Sequence, residues 1–577
     1  MTQPAPHSTT ALDDSTRYLA AGAHLDREFA ENAVREFLVE PTRQIPPSPG
    51  IDTATVLTEA LAARTRRKYR DGALVVLGLI FLFFGSLTGM TAGWLATAAA
   101  GYAVRSWLRN RKGSRLDRLI RLVKVGVLVF AAAVLGLFAF AGFGAVTFGL
   151  LSTPRGYADY YDSSGPATLF SAAWLIALLC CLLMLVILVA DRLAVWHVTT
   201  RYFGRAARMP GQVGPPPADR MSLSLAPQRF RQELERHRLG RRASAPDARM
   251  PVIVFRGTNP FVGAGESTTP WSMTIPLEPD GTAETEEPLT VQRLYHSVAD
   301  KMADLRETGD LSPDQRLRGL LIAGAAFVPA EKLIDHLHLP AATAYLQRLD
   351  LAPEAYLRDD EANRIFHQPR EWSRYYLCLE LETWDRELVV SAFLHAAIDR
   401  NALYLESTPC VLPPIAQEYR NVDKMVDNGL RPVGEGLLRW LLLPGTAFGR
   451  LVNACRMLLP LPFDGFHLNP DRYGTARTLR ELAAMSRPRD YFQAVDAQRY
   501  PQLLESRLVP AVIEVLREHG LSSVAFERQI NVVTGNHVTI EGSNNAPLIF
   551  GGTVHGDVRG RSAPAATTTG ANRDRLG

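Results

Sequence analysis

Apolar positions change rhythm three times along the chain. From residue 73 to 190 they form continuous runs longer than a buried helix of a soluble domain needs. From 251 to 412 they fall into short runs of strand length. From Ile530 to Val558 β-branched residues return in a stretch punctuated by Gly and Asn, with only two formal charges, Glu541 and Asp557. These rhythms predict membrane helices, then an α+β domain, then a short β-rich ribbon.

The block 73–104 carries no charge and is long for one crossing and short for two. Its flanks, ARTRRKYRD at 63–71 and RSWLRNRKGSRLDRLIRLVK at 105–124, are dense in Arg and Lys, which places both in the cytoplasm by the positive-inside bias. An even number of crossings follows, with a reversal near Gly85 to Gly89. The expected spans are about 73–87 and 89–104, each roughly 24 Å of helix against a core of about 30 Å; a re-entrant segment is the alternative. Runs at 125–151 and 169–190 add two spans around an outside loop, TPRGYADYYDSSGPA, with three tyrosines for an aromatic belt. The expected fold is thus an α-helical transmembrane bundle of about four helices with both termini in the cytoplasm of a cell membrane. No Asp, Glu, Lys, Arg or His lies within those runs, which removes most support for a pump or transporter.

Outside the membrane the pattern predicts N-terminal helices within 1–71, a linker at 194–250 with one charged helix, and an α+β domain at 251–415. PVIVFRG, WSMTIPL and RGLLIAGAAFV read as strands, and RYYLCLELET, ELVVSAFLHAAI and NALYLESTPCVL as an antiparallel meander. A helical region at 416–528 contains the apolar segment 433–462, broken by Pro444-Gly445 into helices too short to span. That segment reads either as an interdomain core or as an interfacial pair whose Arg439, Arg450 and Arg456 meet lipid phosphates. Residues 491–520 form an amphipathic helix with internal Pro501 and Pro510. Residues 529–560 are the ribbon and 561–577 a disordered polar tail.

Composition alters little. The 577 residues favour several domains, and the net charge of +4 is not gathered into a stripe with interleaved aromatics, so nucleic acid is not an expected partner. The five cysteines show no disulfide or metal spacing, and the polar N-terminus lacks the form of a signal peptide. GTNPFVGAGES at 257–267 offers backbone amides to a phosphate but lacks the Lys-Ser/Thr end of a P-loop, and His336 and His338 lack a third ligand. No cofactor is expected, and no catalytic residue stands out. The leading expectation is a non-enzymatic interaction, signalling or scaffold protein. The alternatives are a membrane-anchored enzyme with its site in 251–415 and a membrane effector clustered through its C-terminus.

INVVTGNHVTI resembles the core of the RIP homotypic interaction motif at Ile530, Val532, Asn536, Val538 and Ile540, with Asn531 in place of the usual Gln and Val533 in place of the usual Gly. GSNNAPLIFGGTVHGDV is similar to bacterial amyloid signalling motifs. The resemblance implies self-association, as a homo-oligomer or with a motif-bearing partner, through alternating apolar faces and ladders of Asn536 and Asn544, with Ile549 on a further face. A local hairpin packed on its own domain is the other reading. Over most of its length the chain resembles multi-pass membrane proteins of high-GC actinobacteria. RYLAAGAHLDREFAENAVREFL, LPPIAQEYRNVD, YGTARTLRELA and FERQINVVTG carry that likeness. It implies cytoplasmic domains on an anchor in the lipid bilayer and supplies no activity.

Overall fold

The computed structural model describes residues 14–46, 48, 51–95, 165–205, 218–243, 250–280, 288–304, 306, 317, 319–384, 386–425, 430–458 and 469–535. Helices α1 (Asp14–Leu25) and α2 (Arg27–Phe37) lead to α3 (Thr53–Thr88), and α4 (Gly165–Tyr202) follows. Asp52 starts α3 by accepting hydrogen bonds from the free N–H groups of Ala54 and Thr55. Gly89 ends it in the left-handed region at φ 73°, where a residue without Cβ is unstrained.

Helix α3 and residues 172–202 of α4 are long and apolar enough to cross a membrane, and they mark the chain as membrane-associated. Past Gly89 the chain is again helical over 90–95, and Trp94 meets the Phe81 ring edge-on at 5.0 Å, so the segment folds back along α3. The expected span 125–151 lies outside the described residues.

A first core joins α1, α2 and the first half of α3 to α5 (Gln228–Ala243) and to residues from 415–425 and 479–483. Leu19, Val34, Leu57, Phe230, Tyr419 and Leu479 are buried there. Helix α5 is the charged helix expected within 194–250; Phe230 and Leu234, one helical turn apart, give it an apolar face that the core takes up.

The second core lies against an eight-stranded sheet. Its strands are β1 (Met250–Phe255), β2 (Glu266–Ser267), β3 (Trp271–Pro276), β4 (Leu320–Pro329), β5 (Tyr356–Leu357), β6 (Arg374–Thr383), β7 (Leu388–Asp399) and β8 (Ala402–Leu412). The order is β2-β8-β7-β6-β4-β1-β5, with β3 also on β8. The β6-β7-β8 meander is antiparallel, while β1 and β4 pair in parallel. Helices α6 (Val291–Asp304), α10 (Tyr491–Glu518) and α11 (Val524–Gly535) cover one face, burying Val298, Leu508 and Phe526 on Leu379, Leu394 and Leu405. Between them in sequence are α7 (Asp359–His367), α8 (Leu430–Leu441) and α9 (Leu443–Leu458).

Helix α10 shares the core of the sheet, and Pro501 and Pro510 sit inside α10, which is one helix. The ribbon does not begin at 529. Residues up to Gly535 continue α11, because Phe526 and Ile530 stand one turn apart and both enter the core. A strand would turn Arg528 to the same side, and Arg528 is exposed.

Candidate functional site

A cavity of about 850 Å³ opens at one end of the meander, lined among others by Tyr295, Arg370, Tyr375, His395, Glu406 and Gln529. The pleat supplies its chemistry. His395 of β7 stands directly across from Glu406 of β8, which pairs in turn with Ser272 of β3, so the three share one face. The Tyr376 hydroxyl donates to Glu406 at 3.3 Å, and the Arg374 guanidinium lies 3.8 Å from the same carboxylate.

His395 Nδ1 is 2.8 Å from the Tyr375 carbonyl oxygen, which can only accept, so Nδ1 carries the proton and Nε2 keeps its lone pair. Burial holds this imidazole below its ordinary pKa, and burial pushes the Tyr375 and Tyr376 phenols up to about 12. The site thus combines a neutral base, a carboxylate, a guanidinium and aromatic walls. Gln529 of α11 reaches it while donating to the Thr274 carbonyl oxygen at 2.9 Å.

The second charged constellation is at the base of the apolar helices. Asp71 of α3 accepts from Arg70 and Arg450, each at 2.7 Å, and from Asn453 at 2.8 Å. Arg70 also reaches Asp191 of α4 at 2.8 Å. Arg192 pairs with Glu435 of α8. The Arg450 guanidinium is thus engaged by a protein carboxylate. Arg439 is likewise half-buried, with Asp191 and Glu435 among the charges acting on it. Arg456 is in α9, with a side chain that lies outside the described ones.

Deeper in the first core, His24 Nε2 and Glu59 Oε2 are 2.9 Å apart and both buried. Burial pushes the Glu59 carboxyl up to about 8, and burial together with Arg66 and Arg67 holds His24 well below its usual value. Two cationic neighbours disfavour an imidazolium, so the contact is a hydrogen bond made by a neutral imidazole, with its direction set by the tautomer.

The glycine loop is not an open cradle. The Gly263 and Gly265 amides donate to Glu481 Oε1 at 2.9 and 3.2 Å, while Glu481 Oε2 accepts from Thr478 N at 2.7 Å, so an internal carboxylate occupies the anion position. The His336 ring stacks between His338 and Trp372, at 6.2 and 5.3 Å. Among the described residues no group of three His, Cys, Asp or Glu is placed to hold a metal ion.

Of the self-association candidates, Ile530 is buried in the sheet core and Val532 is in α11. Asn536, Val538, Ile540, Asn544 and Ile549 lie outside the described residues. Sequence reasoning missed His395, Glu406 and Asp71. The first two have register as their only signal, and Asp71 was visible as the lone acid in an Arg-rich flank. A family model described as an AbeC-like domain matches residues 270–553, which include the cavity, α8, α9 and α11. No curated protein and no solved structure matches the chain.

Proposed function

We propose that this chain is a non-enzymatic membrane protein that couples a cytoplasmic recognition pocket to its membrane anchor, serving as a signalling or scaffold component. The observation that carries the reading is the way the two parts are joined. Helices α3 and α4 run unbroken from the apolar stretch into the cytoplasmic core, and the matched segment returns to that stretch through α8 and α9. A flexible linker suffices to concentrate a domain near a membrane. A continuous helical junction also passes on displacement. In the same proposal the anchor crosses four times with cytoplasmic termini, and residues 536–560 supply the self-associating or motif-binding segment.

One observation favours a second reading as an enzyme: His395 presents an unprotonated Nε2 beside Glu406 in a cavity large enough for a small substrate. The full chain in nanodiscs, screened against small metabolites and short peptides by thermal shift, separates the two. Binders recovered unchanged by mass spectrometry, with binding lost in Tyr404→Ala, which removes a further ring from the cavity lining, support recognition. Conversion abolished by His395→Ala replaces it with catalysis. Binders indifferent to both substitutions would show that the pocket is not the site.

A further inference from the structure

Helices α8 and α9 meet the membrane helices at a depth that a surface-lying pair would not reach. A Cβ added to Gly436 would come within 2.8 Å of the Val189 Cα, so α8 touches the α4 backbone inside its apolar run. Further on, the Trp440 indole N–H donates to the Cys181 carbonyl oxygen at 3.1 Å. Cys181 precedes Asp191 by ten residues, about 15 Å of helix, or half of a hydrocarbon core of about 30 Å. Leu443, where α9 starts, is buried with Leu74, Phe81, Cys180 and Met184, which gives a similar depth on α3. The hairpin then descends to Arg450 and Asn453, which bind Asp71. Asp71 and Asp191 are bridged by Arg70, so entry and exit are on one polar border.

From this we infer that α8 and α9 form a re-entrant hairpin that dips into the cytoplasmic leaflet and packs its outer face against lipid acyl chains. In α9, Phe448 is 78% exposed, and Leu451 of α9 and Leu438 of α8 are exposed as well. They continue the apolar surface of Leu79, Leu182 and Val186 on the membrane helices. Apolar residues exposed together on that scale mark a contact surface, and here the bilayer already covers its neighbours. The turn suits a dry setting. Leu442 N–H is bonded to the Leu438 carbonyl, Pro444 has no N–H, and Thr446 Oγ1 donates to the Leu443 carbonyl.

The test uses the full chain in liposomes in a Cys455→Ser background, with one nitroxide label at Phe448→Cys. Its collision rates with oxygen and with a water-soluble nickel chelate are compared with those of labels at Leu79→Cys and Leu430→Cys. The expected result is that Phe448 follows Leu79, with oxygen favoured several-fold, while Leu430 favours the chelate. A Phe448 label behaving like Leu430 while Leu79 stays oxygen-favoured overturns the hairpin alone; chelate access at Leu79 overturns the membrane reading beneath it. If the Phe448 variant does not fold, the label at Leu438→Cys decides by the same criterion.

Discussion

The Arg450 guanidinium donates to the Asp71 carboxylate across 2.7 Å, tying α9 to the foot of α3 over 379 positions of sequence. The carboxylate is almost fully buried and also serves Arg70 and Asn453, so it is the hub of the contact. Removing a hub strands more charge than removing a spoke.

Asp71→Asn should therefore destabilise the full chain by about 3 kcal/mol, the usual scale for breaking a buried pair from one side, because Arg450 is left without its carboxylate. Arg450→Gln should cost less, about 1 kcal/mol, since Arg70 still neutralises Asp71. Thermal unfolding in detergent checks the order of the two. A larger loss in Arg450→Gln than in Asp71→Asn would mean that Asp71 is not the hub.

The neutral Glu59–His24 pair makes stability depend on pH with a definite sign. Glu59 is held up to about 8, so between pH ~4.5 and ~8 the folded chain retains a proton that the unfolded chain has released, and its contribution falls as pH rises. His24 is depressed, so its contribution rises with pH until the unfolded imidazole loses its proton near ~6.5. The two trends cancel from pH ~4.5 to ~6.5, and Glu59 alone acts from ~6.5 to ~8, where the wild type should lose roughly 2 kcal/mol. Glu59→Gln should be flat over that upper window and rise over the lower one. A melting temperature constant from pH 6.5 to 8 in the wild type would show that Glu59 is ionised there beside a neutral His24.

Glu481 closes the glycine loop and caps its own short helix through Thr478, so Glu481→Ala releases two loop amides and a cap. A loss of about 1–3 kcal/mol is expected. Millimolar phosphate should then raise the melting temperature of the variant and leave the wild type unmoved. Phosphate stabilising the wild type to the same degree would mean that the amides are open to begin with.

What could be read along the chain was what local pattern encodes. The meander strands follow from β-branched and apolar runs separated by short turns, and α10 from its helical period. What could not be read depends on distant partners. The parallel pairing of Val252 with Ala326 leaves no mark on either strand. Gly263 meets Glu481 across 218 positions, and Trp440 meets Cys181 across 259. The segment INVV was ambiguous in itself, since a run of four suits either period; burial of Phe526 and Ile530 with Arg528 exposed between them fits the helix alone. His395 and Glu406 look like ordinary strand residues until the β7–β8 register puts them side by side.

The length of α3 has a mechanical meaning. Its 36 residues make a rod of about 54 Å, with Glu59 near one end and Phe83 near the other. Membrane helices answer a change in bilayer thickness by tilting. A tilt of about 5° over such a rod moves its far end by roughly 5 Å, more than a close-packed core accommodates without rearranging. The first turn of α3, packed beneath α1 and α2, is therefore a lever tip at which the thickness of the surrounding lipid is expressed as displacement inside the first core. Spin-label distances between α3 and α6 in thin and thick bilayers would give its amplitude.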